Sequence, residues 1–140
     1  MSKRIIFICV CAVLVILCFG IFAGKPLLNL ISGQGFDITV VNRTDVNAEG
    51  LKITCSNNGK DISLPVVKAH SSVNINVNPD GNFSENSMHL YYFDKNGEKH
   101  DEVIIGYFEK GYAGTVKTEI KNIENDGLIS FHIYERDLHN

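Results

Sequence analysis

The feature that most constrains this chain is the stretch from Ile5 to Gly24, an apolar run of twenty residues without a charged side chain, preceded by Lys3 and Arg4. At about 1.5 Å of helical rise per residue, such a run covers roughly 30 Å, the thickness of a bilayer's hydrocarbon core. A single segment in lipid satisfies its backbone polar groups only as a helix, so the many β-branched residues here do not argue against one. Lys3 and Arg4 predict a cytoplasmic N-terminus with the remaining chain extracytoplasmic. Lys25, on the far side, is a single charge against two.

The run is open to a second reading, a cleaved signal peptide with Ile21 and Ala23 at the −3 and −1 positions, in which case the domain is secreted. Length favours a retained signal-anchor, because the apolar part of a signal peptide usually spans about 7–15 residues. A lipoprotein signal is disfavoured, since Leu17 and not a small residue precedes Cys18. All three readings predict export, and the favoured one a single-pass protein of the cell membrane.

Four segments are therefore expected: a transmembrane helix over 1–24, a connector over 25–35, an extracytoplasmic domain over 36–137, and a tail over 138–140. Pro26 discourages continuation of the helix, and Gly33 and Gly35 loosen the join. Eleven residues reach at most about 35–40 Å, so the domain is displayed close to the bilayer.

From Phe36 onward the hydrophobic period is two, the signature of half-buried strands. Strands are expected near 36–42, 50–56, 61–67, 72–78, 87–94, 99–108, 114–122 and 128–135. Val73, Ile75 and Val77 alternate with Asn74, Asn76 and Asn78, and Ile129, Phe131 and Ile133 alternate with Ser130, His132 and Tyr134. Pro65 assigns its strand to a sheet edge or a bulge. About eight short strands in about 105 residues predict an all-β fold, an antiparallel β-sandwich.

In this pattern, and in the opening Ile38-Thr39-Val40-Val41-Asn42-Arg43-Thr44 followed by Gly50-Leu51-Lys52-Ile53, residues 35–137 resemble the immunoglobulin-like and fibronectin-III-like exported domains of bacterial envelope proteins. The resemblance is architectural and implies a sandwich of about 7–8 strands. It brings no functional residue with it. The core cysteine pair and tryptophan of antibody domains are absent.

Charge excludes some partners. Setting aside Lys3 and Arg4 leaves 11 basic against 16 acidic residues. A mildly acidic domain without a basic cluster does not suit nucleic acid or a polybasic grip on anionic lipid. The anchor itself is then what holds the protein to the membrane. Cys9, Cys11 and Cys18 lie in the apolar run, leaving Cys55 alone in the domain. Leu51, Ile53 and Cys55 share one face of a strand, which predicts a buried thiol. That places thiol-dependent activity through Cys55 behind the other readings.

Asn96-Gly97 is a strong two-residue hairpin signal. In that register Asp94 faces Lys99, Phe93 faces His100, and Tyr91 faces Glu102. Met88, Leu90, Val103 and Ile105 then point inward, with His89, Tyr91, Phe93, His100, Glu102 and Ile104 outward. His89 and His100 stand roughly 13 Å apart along the sheet, too far to share a metal whose bonds to nitrogen are about 2 Å. His70, His132 and His139 show no ligand spacing. No cofactor or metal is expected, and no GxSxG, HExxH, phosphate loop or CxxC motif predicts an enzyme.

Two stretches are candidate contact surfaces. Tyr107, Phe108 and Tyr112 lie in a glycine-rich connection and cannot all point inward. Tyr91 and Phe93 lie on the outer face of the Asn96-Gly97 hairpin. Exposed aromatic side chains anchor protein partners or stack on sugars. The expected function is a non-catalytic interaction module that contacts another envelope or membrane protein, with cell-wall carbohydrate or a small ligand as the alternative partner.

Overall fold

A computed structural model of the chain describes residues 35–57 and 60–139, without the side chains of residues 135, 136 and 139. The expected anchor, nearly all of the connector and the Asn58-Gly59 turn lie outside the described residues. Among the described residues, no helix is long and apolar enough to cross a membrane.

Among the described residues eight strands follow one another: β1 (Phe36–Asn42), β2 (Lys52–Cys55), β3 (Ile62–Ser63), β4 (Ser72–Val77), β5 (Glu85–Phe93), β6 (Lys99–Glu109), β7 (Ala113–Ile123) and β8 (Ile129–His139). They form two four-stranded sheets, ordered β4-β1-β7-β8 and β3-β2-β5-β6. One shared core lies between them, with Phe36, Ile38 and Val40 of β1 and Val116 and Ile120 of β7 from one sheet. Leu51 together with Ile53 of β2, Met88 and Leu90 of β5, and Phe108 of β6 enter from the other side. Phe36 and Phe108 meet edge to face across it at 4.8 Å.

The alternations predicted for β4 and β2 appear in the burial. Val73 and Ile75 are half-buried and Val77 is buried, while Asn74, Asn76 and Asn78 are exposed. Leu51, Ile53 and Cys55 all face the core. β3 stops before Pro65 and lies at a sheet edge, where a residue without an N–H is tolerated. Just after Pro65 the chain pairs again through the bridge between Val67 and Ala48.

Three expectations are corrected. The sandwich is not wholly antiparallel, because β1 pairs with β4 antiparallel and with β7 parallel. β8 continues beyond residue 135, with Leu138 opposite Gly114 and His139 opposite Ala113. The β5–β6 register also differs by one residue, since Phe93 pairs with Lys99, Tyr92 with His100 and Tyr91 with Asp101.

The cause of that shift is the loop. Asp94 N–H donates to the Glu98 carbonyl and Gly97 N–H to the Asp94 carbonyl, enclosing three residues. Gly97 takes φ +81°, whereas Asn96 has no positive φ; a two-residue type I′ turn needs it at both. The Asp94 carboxylate secures the longer loop by accepting from the amides of Asn96 at 2.8 Å and Glu98 at 2.9 Å. Further along, Met88 pairs with Ile105 but His89 with Val103, so the ladder skips Ile104. This bulge buries Ile104 and Ile105 side by side and leaves Val103 on the outside, the reverse of what strict alternation predicts for Val103 and Ile104.

Candidate functional site

The loops at one end of the sandwich surround a groove of about 420 Å³, lined by Val46, Ala48, Glu49, Tyr92, Phe93, Lys95, Ile123, Glu124 and Ile129 among others. Two hairpin loops are tied together there: Lys95 N–H donates to the Asp126 carbonyl at 2.9 Å, and Lys95 Nζ to the Asn125 carbonyl at 2.7 Å. Val46 and Phe93 are each more than half exposed, at 54% and 56%. The groove thus mixes apolar side chains with Asn47, Asp94, Asn125 and the acidic Glu49 and Glu124, and hydrogen bonds from the Lys95 amide and ammonium join its two hairpin loops.

The predicted contact residues separate. Phe93 stands at this groove. Tyr91, its neighbour on β5, is buried. The Tyr91 hydroxyl donates to Asp61 at 2.6 Å, Lys99 Nζ lies over its ring at 4.2 Å, and Phe93 packs on its edge at 6.0 Å. Its hydrogen bond to Asp61 raises the phenol pKa and lowers that of the carboxyl. Phe108 belongs to the core, against Phe36 and Phe83, and is not available to a partner. Tyr112 is half-buried against the core. Tyr107 is 51% exposed, but its hydroxyl is held by Glu109 at 2.5 Å, which raises its pKa to about 12. Tyr107 lies roughly 20–25 Å along β6 from the Phe93 end, so Tyr107 and Phe93 do not form one surface.

The histidines also separate. His100 faces the interior edge, stacked on Tyr92 at 5.1 Å, and its Nε2 lies 3.2 Å from Asp94 Oδ2. Asp94, Glu98 and His100 bring three ligand-type atoms within 4.8 Å of one another. Asp94, however, is already engaged by two backbone amides and His100. The Glu98 amide first, then His100 and the Asn96 amide, hold its carboxyl below the usual carboxylate range. The cluster is accounted for as a turn cap. His89 is on the opposite face, where its Nδ1 lies 2.5 Å from Asp101 Oδ1. Its Nε2 lies 3.1 Å from both Ser56 Oγ and Ser87 Oγ. The two serine oxygens are 2.6 Å apart.

No sequence motif announces this group, since Ser56, Ser87, His89 and Asp101 come from three segments. Only the alternation Ser87-Met88-His89 was legible, placing serine and histidine on one face. Joining Asp101 to them needs the true β5–β6 register, which sets Asp101 opposite Tyr91 and diagonal to His89.

On the other sheet's outer face, Glu119 is 4% exposed in its side chain and gathers Arg43, Lys117 and Lys121. Tyr134 Oη donates to the same carboxylate at 3.0 Å. The hydrogen bonds from Arg43, then Lys121, hold the Glu119 carboxyl far below the usual range.

No protein-family signature matches the chain, and no curated protein matches it. Among solved structures it is similar to a protein from Eubacterium rectale determined by NMR, at 20% identity and a TM-score of 0.42, over 71% of this chain and 88% of that one.

Proposed function

We propose that this chain is a single-pass membrane protein displaying an immunoglobulin-like sandwich as an interaction module at the outer face of the cytoplasmic membrane. The loop-end groove takes an apolar side chain from another envelope or membrane protein. The observation that carries the reading is Phe93, 56% exposed beside a partly apolar groove of about 420 Å³. An aromatic group held at a preformed recess is the usual anchor of a protein contact, and the Glu49 and Glu124 edge favours a basic residue next to the inserted side chain. The apolar run Ile5–Gly24 supports the membrane part.

The test places a photo-cross-linking residue at position 93, and separately at position 107, in the full chain within its own membrane. The expected result is one membrane-protein adduct from position 93, absent from position 107 and lost with Val46→Asp. Absence of any adduct from position 93, or the same adducts from both positions, overturns the groove. A mature N-terminus at Gly24 instead of near Met1 removes the membrane part and leaves the groove standing.

A further inference from the structure

The polar group on the outer face of the β2-β5-β6 region has the connectivity of a nucleophile, a base and an orienting acid. Thr54 pairs with His89, and the Ser56 amide donates to the Ser87 carbonyl, so Ser56 and Ser87 stand side by side one step along from His89. Asp101 reaches His89 Nδ1 from the neighbouring strand. An imidazole whose Nδ1–H points at a carboxylate presents a lone pair at Nε2, and two hydroxyls meet that atom at 3.1 Å. The distances lie within hydrogen-bonding reach for general-base activation of a serine.

The surroundings go beyond a polar ladder. Ser56 and Ser87 both line a groove of about 260 Å³ with Asn57, Glu85, Asn86, Gly106 and Tyr107. The β5–β6 ladder is irregular between Asn86 and Met88, and bulges of this kind re-aim side chains beside functional sites. Gly106 contributes no side chain, leaving that wall open. Asn86 is 4% exposed, and its Nδ2 has no hydrogen-bond partner among the described residues. Its Oδ1 is fixed by the amides of Asn57 and Ser87. That Nδ2 is closed off from solvent, so Asn86 acts through its Oδ1, which fixes the backbone of Asn57 and Ser87 beside the groove.

We propose that Ser56 and Ser87, with His89 and Asp101, form a serine-nucleophile site that cleaves small neutral carboxylic esters. One serine Oγ bonds to the ester carbonyl carbon as its proton passes to His89 Nε2. The ester carbonyl oxygen becomes the oxyanion of a tetrahedral intermediate. Collapse breaks the bond to the alkoxy oxygen, which takes the proton from His89, giving an acyl-serine and an alcohol. Water repeats the sequence on the acyl-serine and releases the acid. The volume of the groove limits the acyl group to a short chain, and Glu85 at its edge disfavours a substrate carboxylate. Asp101 is a positioning residue, acting through His89. This inference is independent of the loop-end groove.

The full chain in detergent is treated with a fluorophosphonate and, separately, with p-nitrophenyl acetate, and the adducts are mapped by peptide mass. The expected result is one adduct on Ser56 or Ser87. Its rate falls by on the order of 10²-fold or more in His89→Ala. Asp101→Asn slows it and Asp101→Glu restores part of the rate. Thermal melting of each variant confirms that it is folded. If His89→Ala fails to fold, the single variants Ser56→Ala and Ser87→Ala carry the test, and one of them must abolish labelling. No adduct on either serine of the folded wild-type chain, or an equal rate in folded His89→Ala, overturns the proposal.

Discussion

Tyr92 of β5 reaches across the sandwich and accepts a hydrogen bond from the backbone amide of Ile129, the first residue of β8, at 2.7 Å. Both groups are buried, and the contact ties the two sheets together beneath the loop-end groove. Tyr92→Phe keeps the ring but leaves the Ile129 N–H without its partner, a loss of roughly 1–3 kcal/mol for a buried donor. The expected outcome is a lower urea midpoint at unchanged slope, with faster hydrogen exchange at Ile129. Wild-type exchange at that amide would show that the phenol is not its protecting partner.

Glu119 makes a second prediction, from pH. Its carboxyl is ionised more readily in the folded chain than in the unfolded one, where its pKa is about 4.3. The contribution is therefore complete above that value and is lost as pH falls toward the depressed folded value. The stability difference between wild type and Glu119→Gln should be largest near neutrality and shrink steadily below about pH 4. Guanidinium titrations from pH 7 down to pH 2 measure it. A difference that stays constant across this range would contradict the ion cluster.

Gly114 marks a close approach between β7 and β8. A Cβ there would stand 2.1 Å from the Asp137 carbonyl oxygen, a backbone atom that moves only with its strand. Gly114→Ala should cost about 1–3 kcal/mol and free the C-terminal end of β8 from β7. Thermal melting, with amide exchange of residues 136–139, reads both effects.

Cys55 should behave as an inert thiol. It is 8% exposed, and burial pushes its pKa up, which lowers the thiolate fraction. Iodoacetamide should leave the Cys55 peptide unmodified in the native chain and alkylate it fully in guanidinium. Native alkylation at a rate close to that of free cysteine would mean that the strand does not bury the sulfur.

The strand faces were legible because period two is a local property. Leu51, Ile53 and Cys55 announce their side of β2 without reference to any partner, and Pro65 announces an edge strand, although β3 is only Ile62–Ser63 and not the expected 61–67. Registers were less legible. Asn96-Gly97 signals a two-residue loop, and the three-residue loop that forms rests on Asp94 capping two amides and on Lys95 docking against Asp126, thirty-one residues away in the sequence. That single step moved Asp101 into the row beside His89, and the candidate serine site became visible only then.

By itself the sequence determined that the domain is all-β, which side chains of its clearest strands enter the core, and that an apolar run long enough to span a bilayer precedes it. Only the tertiary structure decided that β1 lies parallel to β7, that Ile104 is buried while Val103 is not, that Phe108 is a core residue, and that Phe93 borders a groove. The physical reason is range. Alternation is set by neighbours along the chain, whereas register, bulges and grooves are set by hydrogen bonds and packing between segments that meet only after folding.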